Sequence, residues 1–201
     1  SVANSYTTVE YLDGLGRIIQ KVEKGFTSRR NDLVTLYEYD DVGQASKAWL
    51  PTYKTGTDGR YMPASEYKTT ANALYEDNYP YVETRYESDP RRRLISETNP
   101  GDVLKYKPLS KSYSFNEAND VKKICINDTG TIIEFKGTYP ANELYVTESR
   151  NADGCRELIY TDKEGKKILA RSMNGTEKID TYFVYDFAGR LAVVITPEGT
   201  N

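Results

Sequence analysis

The sequence predicts an all-β, mainly antiparallel fold in which stacked β-hairpin repeats form a curved or spiralling sheet, with one short helical insertion near 64–75. Three observations predict it. The 201 residues include 18 Tyr, and aromatic side chains fill pleated surfaces while keeping a polar tip in water. The spacing Asp-x-x-Gly recurs at Asp13/Gly16, Asp40/Gly43, Asp162/Gly165 and Asp186/Gly189, each time with a Tyr one or two residues ahead of the acid. The flanking segments read as strands, as in the alternating Thr35-Leu36-Tyr37-Glu38-Tyr39. Average residue usage gives about one Asp-x-x-Gly by chance in this length, and on the order of 0.2 once the Tyr is required, so the recurrence is a repeat.

Its spacing has a mechanism. Asp at the first turn position accepts backbone N–H groups two residues on, and Gly at the fourth takes the left-handed conformation that re-enters a strand. Each copy is therefore expected to be a hairpin tip. The first copy, near 7–27, carries Asp13, Gly16 and the following Arg17. The second, near 33–51, carries Tyr39-Asp40 and Gly43 and ends at Leu50-Pro51. A degenerate copy near 83–101 runs from Tyr86-Glu87-Ser88-Asp89-Pro90 to Arg93-Leu94-Ile95, with Pro90 supplying turn geometry in place of Gly, and ends at Asn99-Pro100-Gly101. Two more copies lie near 142–174, around Asp162 and Gly165, and near 178–199, around Asp186, Gly189 and Arg190; they exit at Asn174-Gly175 and Thr196-Pro197-Glu198-Gly199. A base follows the glycine in three copies, as Arg17, Lys166 and Arg190, whereas Gln44 stands there in the other. The last hairpin, Tyr182-Phe183-Val184-Tyr185 with Leu191-Ala192-Val193-Val194-Ile195, lacks polar alternation and is expected to be buried on both faces.

Two stretches, near 57–82 and 102–141, interrupt the repeat. Within the first, Ala64 to Tyr75 places Tyr67, Ala71 and Leu74 at i, i+4 and i+7, which predicts a short amphipathic helix. Within the second, Lys122–Ile126 and Thr131–Phe135 flank Asn127-Asp128-Thr129-Gly130, which predicts another hairpin. The chain as a whole, 1–201, reads as a single repeat-bearing fragment of a larger protein.

Composition removes several function classes. There is no His, hence no Ser/His/Asp or Cys/His nucleophile pair and no His-containing zinc site. The 27 basic and 30 acidic residues are scattered, for a formal charge of −3, which offers no basic face for nucleic acid. The longest apolar run, Leu191–Ile195, is far short of the roughly 20 residues a membrane helix needs. Ser1 is not followed by a charged-then-apolar leader, and a trimmed or mature chain would have lost one. Cys125 and Cys155 are the only thiols and make no disulfide framework; they read as unpaired.

The segments Asp13-Gly14-Leu15-Gly16-Arg17, Tyr39-Asp40-x-x-Gly43 and Tyr182-Phe183-Val184-Tyr185-Asp186-Phe187-Ala188-Gly189-Arg190-Leu191 resemble the YD repeat of RHS proteins. The wider order, with Tyr86-Glu87 and Arg93, Asn99-Pro100-Gly101, Leu144-Tyr145-Val146-Thr147 and Tyr160-Thr161-Asp162-Lys163-Glu164-Gly165, resembles the amino-terminal domain that precedes the RHS core in large Bacteroidetes surface proteins. The resemblance implies a β-ribbon coiled into a hollow shell, in bacterial proteins that are secreted or displayed at the cell surface and often carry a carboxy-terminal toxin. The partners it implies are neighbouring RHS/YD repeats of the same polypeptide and an enclosed cargo domain, with self-association through exposed sheet edges. Gln44 departs from the repeat's basic residue, Arg156 follows Cys155 where a more regular turn is expected, and the family's self-cleavage aspartates have no counterpart here.

No residue is therefore expected to be catalytic, to bind a cofactor or to hold a metal. The repeated acids read as turn acids, because a calcium loop needs several oxygens converging within about a dozen residues. Trp49 and clustered Tyr are the candidates for a carbohydrate-binding face, against cross-strand packing as their ordinary role. A glycoside hydrolase working through an Asp/Glu pair needs two carboxylates about 6.5–9.5 Å apart, which a sequence does not measure. Arg91-Arg92-Arg93 reads as a solvated, salt-bridged strand end, and Asn127-Asp128-Thr129 and Asn174-Gly175-Thr176 match the glycosylation pattern but read as turns.

Overall fold

The computed structural model describes residues 7–127 and 132–197. The fold is all-β and mainly antiparallel with one short α-helix, as the sequence predicts. The chain forms two compact units, Ser1–Pro108 and Leu109–Asn201, so the division falls inside the second interruption of the repeat.

The first unit contains β1 (Thr8–Leu12), β2 (Ile18–Glu23), β3 (Asp32–Tyr39), β4 (Ala45–Trp49), β5 (Thr52–Lys54), α1 (Ala64–Tyr75), β6 (Tyr81–Tyr86) and β7 (Leu94–Thr98). Its sheet is a meander in the order β1-β2-β3-β4-β6-β7, with β5 pairing the start of β3. Alternation along β2 and β3 sends Val22, Val34 and Leu36 to one face, where they meet Trp49, Met62, Tyr67 and Ala71. Full burial of each aliphatic chain stabilises by roughly 1.5–3 kcal/mol. Helix α1 covers this face through Tyr67, whose hydroxyl reaches the carbonyls of Leu50 at 2.7 Å and Val34 at 3.2 Å. The helical stripe is narrower than its spacing suggests. Leu74 is 46% exposed, and the next contact is made by Tyr75, whose hydroxyl donates to the Pro51 carbonyl.

Two polar side chains buried in this unit, Gln20 and Asp32, are matched to backbone. The Gln20 amide donates to the Met62 carbonyl at 2.8 Å and accepts the Met62 N–H at 2.7 Å, copying a strand pairing with its side chain. Buried Asp32 accepts the N–H groups of Gly25 and Gly59. Each match removes the penalty of an orphaned buried polar group.

The second unit contains β8 (Leu109–Phe115), β9 (Lys122–Ile126), β10 (Ile133–Thr138), β11 (Tyr145–Arg150), β12 (Arg156–Thr161), β13 (Lys167–Asn174), β14 (Glu177–Tyr185) and β15 (Leu191–Ile195). Its sheet runs β8-β11-β12-β13-β14-β15, while β9 and β10 pair as a separate hairpin. That hairpin spans the predicted Lys122–Phe135 region, and Asp128, Thr129, Gly130 and Thr131 of the prediction lie outside the described residues, as does Glu198-Gly199 of the last predicted turn. The core gathers Val121, Leu144, Val146, Tyr160, Leu169 and Tyr182. Asn116 orders the β8–β11 connection by accepting the N–H groups of Glu143 and Leu144 and donating to the Pro140 carbonyl.

The expectation that the last hairpin is buried on both faces is corrected. Tyr182 and Val184 of β14 are buried, but β15 is the final strand of its sheet among the described residues, with Leu191 52% and Val194 46% exposed. An unbroken apolar run carries no information about which strand stands at an edge.

Candidate functional site

Two features concentrate the chain's polar chemistry: the hairpin tips and a charge network in the second unit. At Asp13, Asp40, Asp162 and Asp186 one carboxylate oxygen accepts two backbone N–H groups, from the second and fourth residues after the acid, at 2.8–3.1 Å. Gly16, Gly43, Gly165 and Gly189 sit at φ +80, +90, +81 and +76°. Their N–H groups donate to the carbonyl of the turn acid, so each tip is a type I turn closed by a left-handed residue.

The tips share a second feature invisible in their sequence. One residue in from each, the register slips by one, between Tyr11/Leu12, Glu38/Tyr39, Arg85/Tyr86, Tyr160/Thr161 and Val184/Tyr185. The returning strand thus carries one extra residue each time, which raises local twist. The β11–β12 hairpin has no such slip. Its tip is the same turn built on Asn151, which accepts the N–H groups of Asp153 and Cys155, with Gly154 at φ +84°. Sequence reasoning missed this tip because it demanded Asp; Asn-x-x-Gly has the same acceptor and was the available signal.

Backbone N–H donation from Arg17 and then the Arg17 guanidinium hold the Asp13 carboxyl below the usual range. At Asp40 partial burial raises the carboxyl, but donation from Gln44 and Val42 and the Arg92 charge outweigh it and the net direction is down. Asp186 is lowered by the Arg190 N–H and guanidinium. The acids are engaged by their own turns.

At the degenerate tip the left-handed position is taken by Arg92, at φ +50°, so Pro90 opens the turn but does not replace the glycine. Asp89 is the acid of this turn, and the strands close outside it through Glu87, which Arg93 grips with two bonds of 2.7 Å. The arginine cluster is salt-bridged, as the sequence predicts, and is divided among three acids. Arg91 pairs with Asp89, Arg93 with Glu87, and Arg92 reaches the neighbouring tip, with Nη2 at 2.5 Å from Asp40 and Nε at 2.8 Å from Gln44. The departure at Gln44 is compensated by a base from the adjoining hairpin.

In the second unit Arg171 is 3% exposed yet charged. Its guanidinium makes two bonds to Asp180, at 2.7 and 2.9 Å, and Nη1 donates to both oxygens of Asp120 at 2.7 and 2.9 Å. Tyr160 donates its hydroxyl to Asp120, and Lys178 completes that acid's shell at 2.8 Å. Burial works against the Asp120 charge, but hydrogen bonds from Lys178, Arg171 and Tyr160 prevail and bring its carboxyl down to about 2. Tyr160 is pushed up, first by burial and then by its bond to Asp120. This network lies beside an open cavity of about 250 Å³ lined by Phe115, Glu117, Arg156, Leu158 and Met173 as well as Asp120. A carboxyl held near 2 is no proton donor at neutral pH.

Trp49 is 6% exposed, with Tyr81 at 4.6 Å and Tyr67 at 6.2 Å between ring centroids. Its ring is occupied by the protein's own aromatics, which corrects its assignment as a glycan-stacking residue. Cys125 and Cys155 are free thiols, and Asn174-Gly175-Thr176 forms the β13–β14 turn; the Asp128 and Thr129 of the other glycosylation pattern are outside the described residues. Among the described residues no three His, Cys, Asp or Glu gather into a cluster able to hold a metal, and no helix is long and apolar enough to cross a membrane.

Fold and tips together define an antiparallel β-hairpin repeat protein. Residues 1–117 match a family described as Domain of unknown function (DUF6443), and the chain belongs to that family. The match covers the first unit and the β8 strand that opens the second. No curated protein matches the chain.

Proposed function

We propose that the chain is a structural, non-enzymatic repeat module that contributes wall to an RHS-type β-shell, enclosing or exporting a downstream cargo domain of a bacterial protein that is secreted or held at the cell surface. The observation that carries this reading is the way adjacent tips engage one another. Arg92 of one hairpin bonds Asp40 and Gln44 of the preceding one, and Arg17 lies 4.4 Å over the ring of Tyr39 in the neighbouring tip. Such contacts fix the spacing of hairpins along a sheet, as a wall requires, and they engage acids that a hydrolase would leave free.

The test is electron microscopy of the full-length protein. The expected image is a closed hollow particle in which this chain forms part of the wall, and it loosens when Arg17 and Arg92 are both changed to Ala. Separate beads joined by linkers would overturn the reading.

A further inference from the structure

The residue directly before the turn acid differs between tips. It is Tyr39 and Tyr185 at the tips of β3–β4 and β14–β15, but Leu12 and Thr161 at the tips of β1–β2 and β12–β13 that precede them. The two tyrosines are the ones that lie beside a base from the preceding tip, and three contacts recur at both. Arg17 lies 4.4 Å over the Tyr39 ring and Lys166 lies 5.8 Å from the Tyr185 ring centre. Each tyrosine hydroxyl donates to the carbonyl of the residue after that base, Tyr39 to Ile18 at 2.8 Å and Tyr185 to Lys167 at 3.1 Å. The turn glycine lets the base close in, since a Cβ on Gly43 would fall 2.6 Å from Arg17 Nη1, and one on Gly189 would fall 3.1 Å from Lys166 Nζ.

Engagement is visible in exposure. The Arg17 side chain is 29% exposed, whereas that of Arg190, in the same place of the last tip, is 76% exposed. Arg190 already holds Asp186, with Nε 2.9 Å from Oδ2, as Arg17 holds Asp13. Beside it β15 is the last strand of its sheet among the described residues and carries the half-exposed Leu191 and Val194.

We propose that a base directly after a turn glycine reads the neighbouring hairpin, and that Arg190, the Leu191 carbonyl and the outer edge of β15 form a docking surface for a β-hairpin whose first strand ends in Tyr-Asp-x-x-Gly. The occupant is a hairpin of the chain's own repeat type. Its tyrosine ring lies under the Arg190 guanidinium, its hydroxyl donates to the Leu191 carbonyl, and its turn glycine admits the tip of Arg190. The β1 edge of a second copy does not fit, because Leu12 holds the place the base reads. This deepens the scaffold reading, but it rests on contacts inside the chain, so a failed shell and a failed docking are separate results.

The test uses the intact chain and a backbone-cyclised hairpin peptide carrying residues 182–195, with affinity measured by calorimetry. Arg190→Ala in the chain and Tyr185→Leu in the peptide are each expected to weaken binding by about 5- to 30-fold, the range of an aromatic–cation contact. Combined, they cost no more than either alone. Arg17→Ala leaves affinity unchanged, and Arg190→Lys recovers part of it. Absence of binding, binding indifferent to both changes, or chain self-association that the peptide does not compete away would each overturn the proposal. Within the chain, an Arg17→Ala/Tyr39→Leu cycle read by amide exchange in β2 and β3 must show coupling; additive costs would remove the reading rule itself.

Discussion

The two units close their sheets with different materials. In the first, a helix lays Tyr67 and Ala71 on the face formed by Val22, Val34 and Leu36, and buried Gln20 and Asp32 direct their polarity to backbone atoms of two connecting loops. In the second, Val121 and Leu144, from the segments around the β9–β10 hairpin, cover the sheet, and beside Asn116, which is matched to backbone, the buried polarity is a charged side chain held between two carboxylates. The difference teaches where each unit is vulnerable. Side chain to backbone matches are independent of one another, so one loss removes one or two bonds. A buried guanidinium between acids is collective, and removing its centre strands two charges.

The largest expected effect is therefore Arg171→Met. The aliphatic stem still packs, but Asp120 and Asp180 face each other without their shared cation, at a cost of about 3 kcal/mol to the second unit, the lower end for a buried pair because both acids keep some exposure. Trp49, the single tryptophan, lies in the first unit. Its emission in a urea titration should keep its midpoint while amide protection in β12–β14 falls. An unchanged β12–β14 would show that the network is not what holds this unit.

In the first unit the matching change is Tyr67→Phe. It keeps the ring and removes the hydroxyl shared between the Leu50 and Val34 carbonyls, at about 1–2 kcal/mol. The Trp49 transition should move by that amount with β12–β14 protection unchanged. A cost exceeding that of Arg171→Met would invert the comparison.

Much of this arrangement was legible in the sequence. The tips were readable because a turn is a local affair: Asp13 bonds atoms two and four residues on, and Gly16 needs only its own backbone freedom. Helix α1 was readable from Tyr67 and Ala71. What the sequence withheld depends on sequence-distant pairings. Arg171 and Asp120 are 51 residues apart and look like ordinary surface charges until β13 and the segment before β9 are brought together. For Trp49 sequence leaves a ligand-stacking candidate beside ordinary packing, and only Tyr67 and Tyr81 closing on it decide for packing. Gln44 looks like a flaw in the repeat until Arg92, 48 residues on, occupies the gap. Local rules identified the tips, and only pairing of the strands showed which side chains share them.

The pH dependence sharpens the contrast. A carboxyl whose folded pKa lies below its unfolded value of about 3.9 stabilises the fold above that pH, and the contribution is lost as pH falls through the folded value. Asp120, held at about 2, thus supports the second unit at neutral pH and releases it between about pH 4 and 2. The amount is on the order of 1–2 kcal/mol after allowance for screening through the open cavity. Asp13, Asp40 and Asp186 are displaced in the same direction. Acid titration followed by amide exchange should show β12–β14 losing protection over this window, and Asp120→Asn should flatten the dependence there while lowering protection at pH 7. A dependence unaltered by Asp120→Asn would assign the acid sensitivity to other carboxyls, Glu148 and Asp186 among them.

The smallest effects separate a glycine's backbone role from its part in tip-to-tip contact. Gly165 has φ +81° and no atom within 4 Å of a built Cβ, so Gly165→Ala costs only the left-handed strain, about 1 kcal/mol. Gly43 has φ +90°, and its Cβ would meet Arg17 Nη1 at 2.6 Å. That atom ends a flexible side chain, so Gly43→Ala adds only a few tenths of a kcal/mol to the strain, but it must swing Arg17 off the Tyr39 ring. Thermal unfolding should show two similar losses. Amide exchange should then show the loss crossing from the β3–β4 tip into the β1–β2 tip for Gly43→Ala, and remaining at the β12–β13 tip for Gly165→Ala. Equal confinement of both losses would mean that the Arg17 contact transmits nothing between hairpins.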